Sequence, residues 1–271
     1  MNAQTVQSHV GQVWTSGDAY EPYVGRWSRL VARELLAWLA VPENRRWLDV
    51  GCGTGALTQT ILDTASPSAV TGVDRSDGFV AYAREKVSDA RAHFEVADAQ
   101  ALRFADASFD VAVSGLVLNF VPQPEQMVGE MRRVVRAGGT VALYVWDYAG
   151  AMQLMRHFWD AAVALDPAAR ALDQGVRFAI CQPEPLAALF RSVGLRDAQT
   201  RALDVPTVFR DFDDYWSPFL GGQGPAPSYA MALSEEQRAA LRDRIRAHLP
   251  IRADGSIHLS ARAWAVCGTV G

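Results

Sequence analysis

The stretch Trp47-Leu48-Asp49-Val50-Gly51-Cys52-Gly53-Thr54-Gly55 reads as a short buried strand that runs straight into three alternate glycines. Glycines so placed let the backbone turn sharply and approach a ligand closely, because no Cβ stands in the way. A strand followed by a glycine turn opens a βαβ unit, and the flanking sequence continues that pattern. Apolar runs at 46–50, 69–73, 93–97, 109–114 and 140–146 predict strands, while stretches at 55–64, 76–88 and 124–136 predict helices between them. Ahead of the first strand, Trp27, Leu30, Val31, Leu35, Trp38 and Leu39 recur at helical spacing and stop near Pro42, predicting an amphipathic helix over 27–40. This alternation predicts a doubly wound α/β fold: a mostly parallel sheet with helices on both faces and right-handed crossovers.

Beyond Trp146 the regular alternation breaks. A helix-rich stretch near 150–165, a helix begun by Pro183 and Pro185, and a strand over 196–203 come first. Residues 209–229 then mix Phe212, Tyr215, Trp216 and Phe219 with Gly221, Gly222, Gly224 and Pro225, a composition that suits a lid better than a long regular element. Ser234 ahead of Glu235, Glu236 and Gln237 marks a helix start, and Asp254-Gly255-Ser256 turns into an alternating strand from Ile257. The expected organisation is one domain over 1–271. It comprises a cofactor-covering segment at 14–40, a cofactor-binding core at 41–148, lid and substrate-side elements at 149–256 and a last strand at 257–268.

The bulk composition narrows the possible partners. At 271 residues and 49% hydrophobic, the chain is long enough for one large core. The net charge of −4 and the scattered arginines argue against nucleic acid. No segment approaches the roughly 20 apolar residues of a membrane span, and residues 1–14 lack the basic and apolar regions of a signal peptide, so a soluble cytoplasmic protein is expected, as monomer or homodimer. Cys52, Cys181 and Cys267 are odd in number and have no C-x-x-C spacing, so they read as reduced thiols, with no metal site implied.

The glycine turn predicts a nucleotide-like ligand. Asp74 ends the next strand, where a carboxylate can accept both hydroxyls of a ribose. Gly51, Gly53 and Ala56 also satisfy the G-x-G-x-x-G/A spacing of a dinucleotide site, which keeps an NAD-dependent oxidoreductase in view. Three features favour a methyl donor. Asp98-Ala99 lies just past the third strand, where an acid and the following N–H can read an adenine. The fourth strand ends in Ser114-Gly115-Leu116-Val117-Leu118-Asn119-Phe120, followed by Val121-Pro122-Gln123-Pro124 and a helix that closes on Arg136-Ala137-Gly138-Gly139-Thr140. Lys86, the only lysine, is far from any Tyr-x-x-x-Lys pair, which removes the proton relay of a short-chain dehydrogenase.

With these motifs in order, residues 20–148 resemble the class I S-adenosylmethionine-dependent methyltransferases of the ubiquinone/menaquinone-biosynthesis type (methyltransferase type 11). The resemblance implies a seven-stranded sheet whose final strand is antiparallel and supplied by 257–266. It also implies a set of cofactor contacts: Gly51, Cys52 and Gly53 of the turn toward the methionine moiety, Asp74 toward the ribose, Arg75 beside it, Asp98 and Ala99 toward the adenine, and Ser114 on the pocket floor. Asp49 either braces the loop or touches the ligand. The segment Tyr20 to Arg29 looks like the part that folds over the cofactor. There Tyr20, Tyr23 or Trp27 would offer an aromatic face to the cationic sulfonium and Arg26 a fork-shaped ion pair to the methionine carboxylate.

Methyl transfer needs the nucleophile held in line with the S–CH3 bond, so positioning supplies much of the acceleration. Where the acceptor must lose a proton, a general base helps by about 10²–10⁴-fold. The candidates are His157, Asp147 and, less favourably placed, His258. Phe209, Phe212, Tyr215, Trp216 and Phe219, with Trp146, predict either an aromatic-lined pocket for a small apolar or planar metabolite as the substrate or the core of the lid or a dimer face.

Overall fold

A computed structural model describes residues 25–221 and 224–271. The chain opens with α1 (Arg26–Leu39), whose Trp27, Val31, Ala32, Leu35 and Leu36 are buried along one stripe. Five strands follow: β1 (Arg46–Val50), β2 (Ala69–Asp74), β3 (Ala92–Val96), β4 (Phe109–Gly115) and β5 (Val135–Trp146). Between them stand α2 (Ala56–Thr64), α3 (Asp77–Lys86) and α4 (Pro124–Val134), with α7 (Pro183–Ser192) after β5. β1 to β5 are mutually parallel, and β7 (Ile257–Thr269) pairs antiparallel with β5 from Trp146↔Ala263 to Thr140↔Thr269. With β6 (Arg196–Phe209) the sheet has seven strands in the order β3-β2-β1-β4-β5-β7-β6.

From β1 the winding runs one way to β2 and β3 and the other way to β4 and β5. Right-handed crossovers therefore place α2 and α3 on one face and α4 on the other. α1 packs on α2, and α7 packs on α4. This winding reverses between β1 and β4, and in open α/β sheets ligands bind outside the carboxyl ends at such a switch point. Val50, Val70, Val111, Ala112 and Leu143 are fully or almost fully buried, as expected of strands covered on both faces. Each of these Val and Leu side chains contributes about 1.5–3 kcal/mol by leaving water.

The chain folds as two compact units. The sheet unit comprises Arg26–Trp146, Ile180–Leu203 and Ala263–Gly271. The second unit includes Asp147–Ala179 and Asp204–Arg262. It holds α5 (Gln153–Leu165), α6 (Gln174–Arg177), α8 (Phe212–Trp216), α9 (Pro225–Ala232) and α10 (Glu235–His248). Its interior is aromatic: Phe158 stacks on Phe219 at 4.6 Å, Phe209 meets Tyr215 edge-on at 5.2 Å, and the Tyr215 hydroxyl donates to the Leu154 carbonyl at 2.9 Å. Arg156 is held by both carboxylate oxygens of Asp173 at 2.9 Å and by Asp160 at 2.7 Å. α10 begins with the reciprocal capping box of Ser234 and Gln237.

Several elements differ from the sequence reading. α4 ends at Val134 and β5 begins at Val135, because Val135 pairs with Phe109 of β4, the Gly138 N–H donates to the Val270 carbonyl and the Val270 N–H to Gly139, so that the stretch joins the sheet through a turn of positive φ at Gly138. β6 continues past Pro206 to Phe209; at the edge of a sheet the N–H that proline lacks need not be missed. Residues 209–229, read as irregular, contain α8, a 3-10 turn at Ser217–Gly221 and the start of α9. Among the described residues no helix is long and apolar enough to cross a membrane, and no group of three His, Cys, Asp or Glu is gathered to hold a metal ion. The three cysteines are unbridged.

Candidate active site

The parallel strands bring the predicted cofactor residues of the sheet unit to one edge. Gly51 to Gly55 follow β1, Asp74 ends β2, Asp98 lies just past β3, and Ser114 is next to last in β4. The glycine turn is closed by three backbone bonds: Gly51 and Cys52 both donate to the Val73 carbonyl, at 2.7 and 2.9 Å, and Gly55 donates to Cys52 at 2.8 Å. Gly51, Gly53 and Gly55 all have positive φ, at 75°, 51° and 85°. At Gly51 the requirement is double, because a Cβ would overlap the Val117 side chain. A Cβ at Gly53 would meet nothing within 4 Å, so the turn has open space on that side.

Asp74 is tied to the turn. One carboxylate oxygen accepts from the Gly53 N–H at 3.1 Å and the other from the Ser76 N–H at 2.9 Å. Burial raises its pKa and these two N–H groups oppose the rise. Asp98 accepts at Oδ1 from the Gln100 N–H at 2.9 Å. Arg75 adjoins Asp74 and Ala99 adjoins Asp98 along the same edge. Ser114 is buried, and its hydroxyl donates to the Val50 carbonyl at 2.7 Å, which pins β4 to β1 beneath the turn. The Cys52 thiol is pushed well up by burial, then by Asp49 and Asp74, so it stays protonated at neutral pH.

Asp49 is fully buried one residue before the last position of β1. Its Oδ2 accepts from the Thr58 hydroxyl of α2 at 2.7 Å, while its Oδ1 has no partner. Burial raises its pKa to about 7, and Asp74 adds to the rise against the hydrogen bonds from Thr58. An unpaired buried carboxylate oxygen is costly to leave so, and it suits a site that receives a positively charged or N–H-bearing ligand.

Of the remaining predicted residues, Tyr20 and Tyr23 lie outside the described residues. The guanidinium of Arg26, at the start of α1, stands 4.5 Å from the centroid of the buried Trp27 ring. Trp146 closes β5, buried, with no partner for its indole N–H. Asp147 is buried and caps its own turn: Oδ1 accepts from Gly150 at 3.0 Å and Oδ2 from Ala151 at 2.9 Å. His157 is half-buried on α5 of the second unit, and burial lowers its pKa. Tyr215, Trp216 and Phe219 are buried within the second unit's aromatic cluster. His258 is exposed on β7.

One residue of this edge carried no role in the sequence reading. Asn119 sits in the 3-10 turn Leu118–Phe120 just past β4, and both its side-chain nitrogen and its side-chain oxygen are buried without a partner. The sequence signal was a single amide inside the apolar run from Leu116 to Phe120.

A doubly wound sheet with a glycine turn after β1 and acids after β2 and β3 defines the class of Rossmann-like nucleotide-cofactor folds. Comparison with known proteins narrows that class. A family model described as a methyltransferase domain matches residues 48–143. A 2-methyl-6-phytyl-1,4-hydroquinone methyltransferase from Synechocystis sp. is 33% identical over 187 residues, covering 68% of this chain and 57% of that protein. A demethylmenaquinone methyltransferase from Roseiflexus sp. is 32% identical over 180 residues, covering 61% of this chain and 74% of that protein. The solved structure of the YcgJ protein from Bacillus subtilis superposes with a TM-score of 0.56 at 19% identity, over 89% of this chain and 99% of that one. The chain belongs to the class I S-adenosylmethionine-dependent methyltransferases, in the methyltransferase type 11 family. It spans little more than half the length of the Synechocystis relative.

Proposed function

We propose that this protein transfers a methyl group from S-adenosylmethionine to a small apolar or aromatic metabolite. The observation that carries the reading is the unpaired, buried Asp49 carboxylate oxygen beside the glycine turn, at the same sheet edge as Asp74 and Asp98. In this reading Gly51, Cys52 and Gly53 hold the methionine part of the cofactor, and Arg26 and Tyr23 help to cover it. Asp74 and Arg75 hold the ribose, Asp98 and Ala99 the adenine, and Ser114 underlies the pocket. S-adenosylmethionine, when bound, supplies a methyl group already activated on a cationic sulfur. What remains for the chain is to bind, orient and exclude water.

The acceptor class is supported by two of the relatives, whose names specify a phytyl-bearing hydroquinone and a demethylated menaquinone, while others name trans-aconitate and phosphatidylethanolamine. Trp146 offers aromatic surface at the end of β5. His157 supports a general-base role, since its lowered pKa keeps the imidazole neutral and able to take a proton at neutral pH. The capping of Asp147 by Gly150 and Ala151 leaves it the weaker candidate.

Isothermal titration with S-adenosylhomocysteine and with NADH tests the cofactor. Saturable binding of the first and none of the second is expected, and the reverse would overturn the reading. Transfer of labelled methyl from S-adenosylmethionine to a panel of hydroquinones tests the acceptor class.

A further inference from the structure

Among the polar side chains at the sheet's carboxyl edge, most have a protein partner. Ser114 donates to Val50, Asp74 accepts from Gly53 and Ser76, and Asp98 accepts from Gln100. Two groups beyond the glycine turn break the pattern. The Asn119 amide has neither its N–H donors nor its carbonyl satisfied, and the Trp146 indole N–H has no acceptor. Leaving buried polar atoms unpaired costs about 1–3 kcal/mol each, so a native chain that keeps two such side chains near one edge calls for an explanation.

Their placement gives one. β4 and β5 are neighbours, in register through Gly115↔Tyr144. Asn119 lies one 3-10 turn past the end of β4, and Trp146 is the last residue of β5. Register also sets the face. Asp49 is opposite Val113, Val113 is opposite Ala142, and Tyr144 and Trp146 follow at even spacing, so Asp49 and Trp146 share one side of the sheet. The glycine turn, bound for the cofactor, follows β1. The two unpaired groups follow the strands on the other side of it, where the turn's neighbour Val117 already packs against Gly51.

We infer that Asn119 and Trp146 form the polar recognition element for the methyl acceptor, and that the acceptor bears a hydroxyl group. This rests on the methyltransferase reading above. Matching donors to acceptors selects the group. Together the two side chains present N–H donors from Asn119 and Trp146 and one carbonyl acceptor from Asn119. A hydroxyl offers what is missing on both counts: its O–H donates to the Asn119 Oδ1, and its oxygen accepts from an N–H. An ammonium group has no acceptor and leaves both N–H groups unpaired. A neutral amine has a single lone pair, which methyl transfer itself must use. A carboxylate has no donor and leaves the Asn119 carbonyl unpaired. Neither Asn119 nor Trp146 takes up a proton, so both are recognition residues and not bases.

The test uses the full chain and has three arms. In the first, melting of Asn119→Leu is compared with wild type. Replacing an unpaired buried amide by an apolar side chain of similar size is expected to raise Tm by about 2–4 °C. A fall in Tm with both Asn119→Leu and Asn119→Met would mean that the amide supports the fold, and would overturn the proposal. The second arm measures S-adenosylhomocysteine affinity, expected within about twofold of wild type in Asn119→Leu and Trp146→Phe. A tenfold loss there would reassign the pair to the cofactor and overturn the acceptor role. Failure of wild type to bind S-adenosylhomocysteine would instead count against the methyltransferase reading itself. In the third arm, catechol, benzoate and benzylamine are titrated into protein saturated with S-adenosylhomocysteine. Catechol is expected to bind most tightly and to weaken at least tenfold in Asn119→Leu, with a smaller loss in Trp146→Phe. Preference for benzylamine or benzoate, absence of catechol binding, or equal catechol affinity in variant and wild type would each overturn it.

Discussion

Two aspartates on neighbouring strands of one sheet, Asp49 on β1 and Asp110 on β4, sit at opposite strand ends and are treated in opposite ways. Asp110, at the amino end, accepts from the Arg46 N–H at 2.9 Å and from the Arg136 guanidinium at 2.6 Å, with Arg45 at 3.9 Å. Partial burial pushes its pKa up, but these cationic and N–H partners outweigh burial and hold it below the usual carboxylate range. Asp49, near the carboxyl end, has one Thr58 hydroxyl and an unpaired oxygen, and burial wins. Arg133 extends the first pattern. It serves Glu130, Asp106 and the carbonyls of Leu102 and Phe104, leaving the loop before β4 thoroughly tied. At the amino end the acids Asp106, Asp110 and Glu130 are paired within the chain, although the Trp47 indole N–H is not, and the carboxyl end keeps a carboxylate oxygen and an amide in reserve. The first arrangement stabilises the fold, and the second marks where a ligand completes the hydrogen bonding.

The strongest way to break this contrast is at the turn itself. Gly51→Val would force a β-branched residue to φ 75° and drive its side chain into Val117. The left-handed backbone costs about 1–2 kcal/mol and the overpacking about 1–3 kcal/mol more. The expected result is loss of S-adenosylhomocysteine binding by two orders of magnitude or more, with a lowered Tm. Affinity within threefold of wild type would show that the turn does not hold the ligand.

Next in size come the two aspartates compared directly. Asp49→Asn keeps an oxygen for the Thr58 hydroxyl but removes the negative charge, so S-adenosylhomocysteine is expected to bind about tenfold more weakly, equivalent to about 1.4 kcal/mol, while Tm holds or rises. Asp110→Ala leaves the Arg46 N–H and Arg136 without their acceptor. There Tm should fall by the equivalent of about 1–3 kcal/mol and affinity should not change. If Asp110→Ala weakened ligand binding as much as Asp49→Asn, the division between a structural and a binding end of the sheet would fail.

The legibility of these features in the sequence follows the range of the interactions that create them. β1, β2 and β4 are visible because strands buried on both faces read as continuous apolar runs. The glycine turn, Asp74 and Asp98 are visible because their positions relative to strand ends are local facts. β5 reads too short because its first residues are held by Phe109 on β4 and by Val270, the latter more than a hundred residues away. β6 reads too short because Pro206 signals a break, and only the sheet order shows that it lies on an edge strand. α8 and the 3-10 turn after it are hidden in a stretch whose prolines and glycines dominate a local reading, while the contacts that anchor it, Phe219 on Phe158, the Tyr215 hydroxyl on Leu154 and Phe212 under Arg246, are tertiary. Asn119 stands in plain view within the block after β4, yet an unpaired amide is recognisable only once its surroundings are known.

The smallest expected effect is also the most direct measure of the contrast, because pH separates the two carboxylates by sign. Asp49 has a folded-state pKa raised from 3.8 to about 7, so between those values the folded chain binds the proton that the unfolded chain has released. Its contribution to stability is full below about pH 4 and is lost as pH rises through about 7. Asp110 has a lowered folded pKa, so its contribution is present above the ordinary carboxylate value and is lost as pH falls through the folded one. Urea unfolding of the ligand-free protein from pH 5 to 8 should therefore show a downward component of stability with pH that disappears in Asp49→Asn and persists in Asp110→Ala. The ligand reverses the sense of the first effect. An ammonium group bound beside Asp49 favours its ionised form, so S-adenosylhomocysteine, which keeps the amino group of the methionine moiety, should bind more tightly as pH rises toward about 7 in wild type and show a flatter profile in Asp49→Asn. A wild-type profile as flat as the variant's would mean that the reserved oxygen of Asp49 does not face the charge of the ligand.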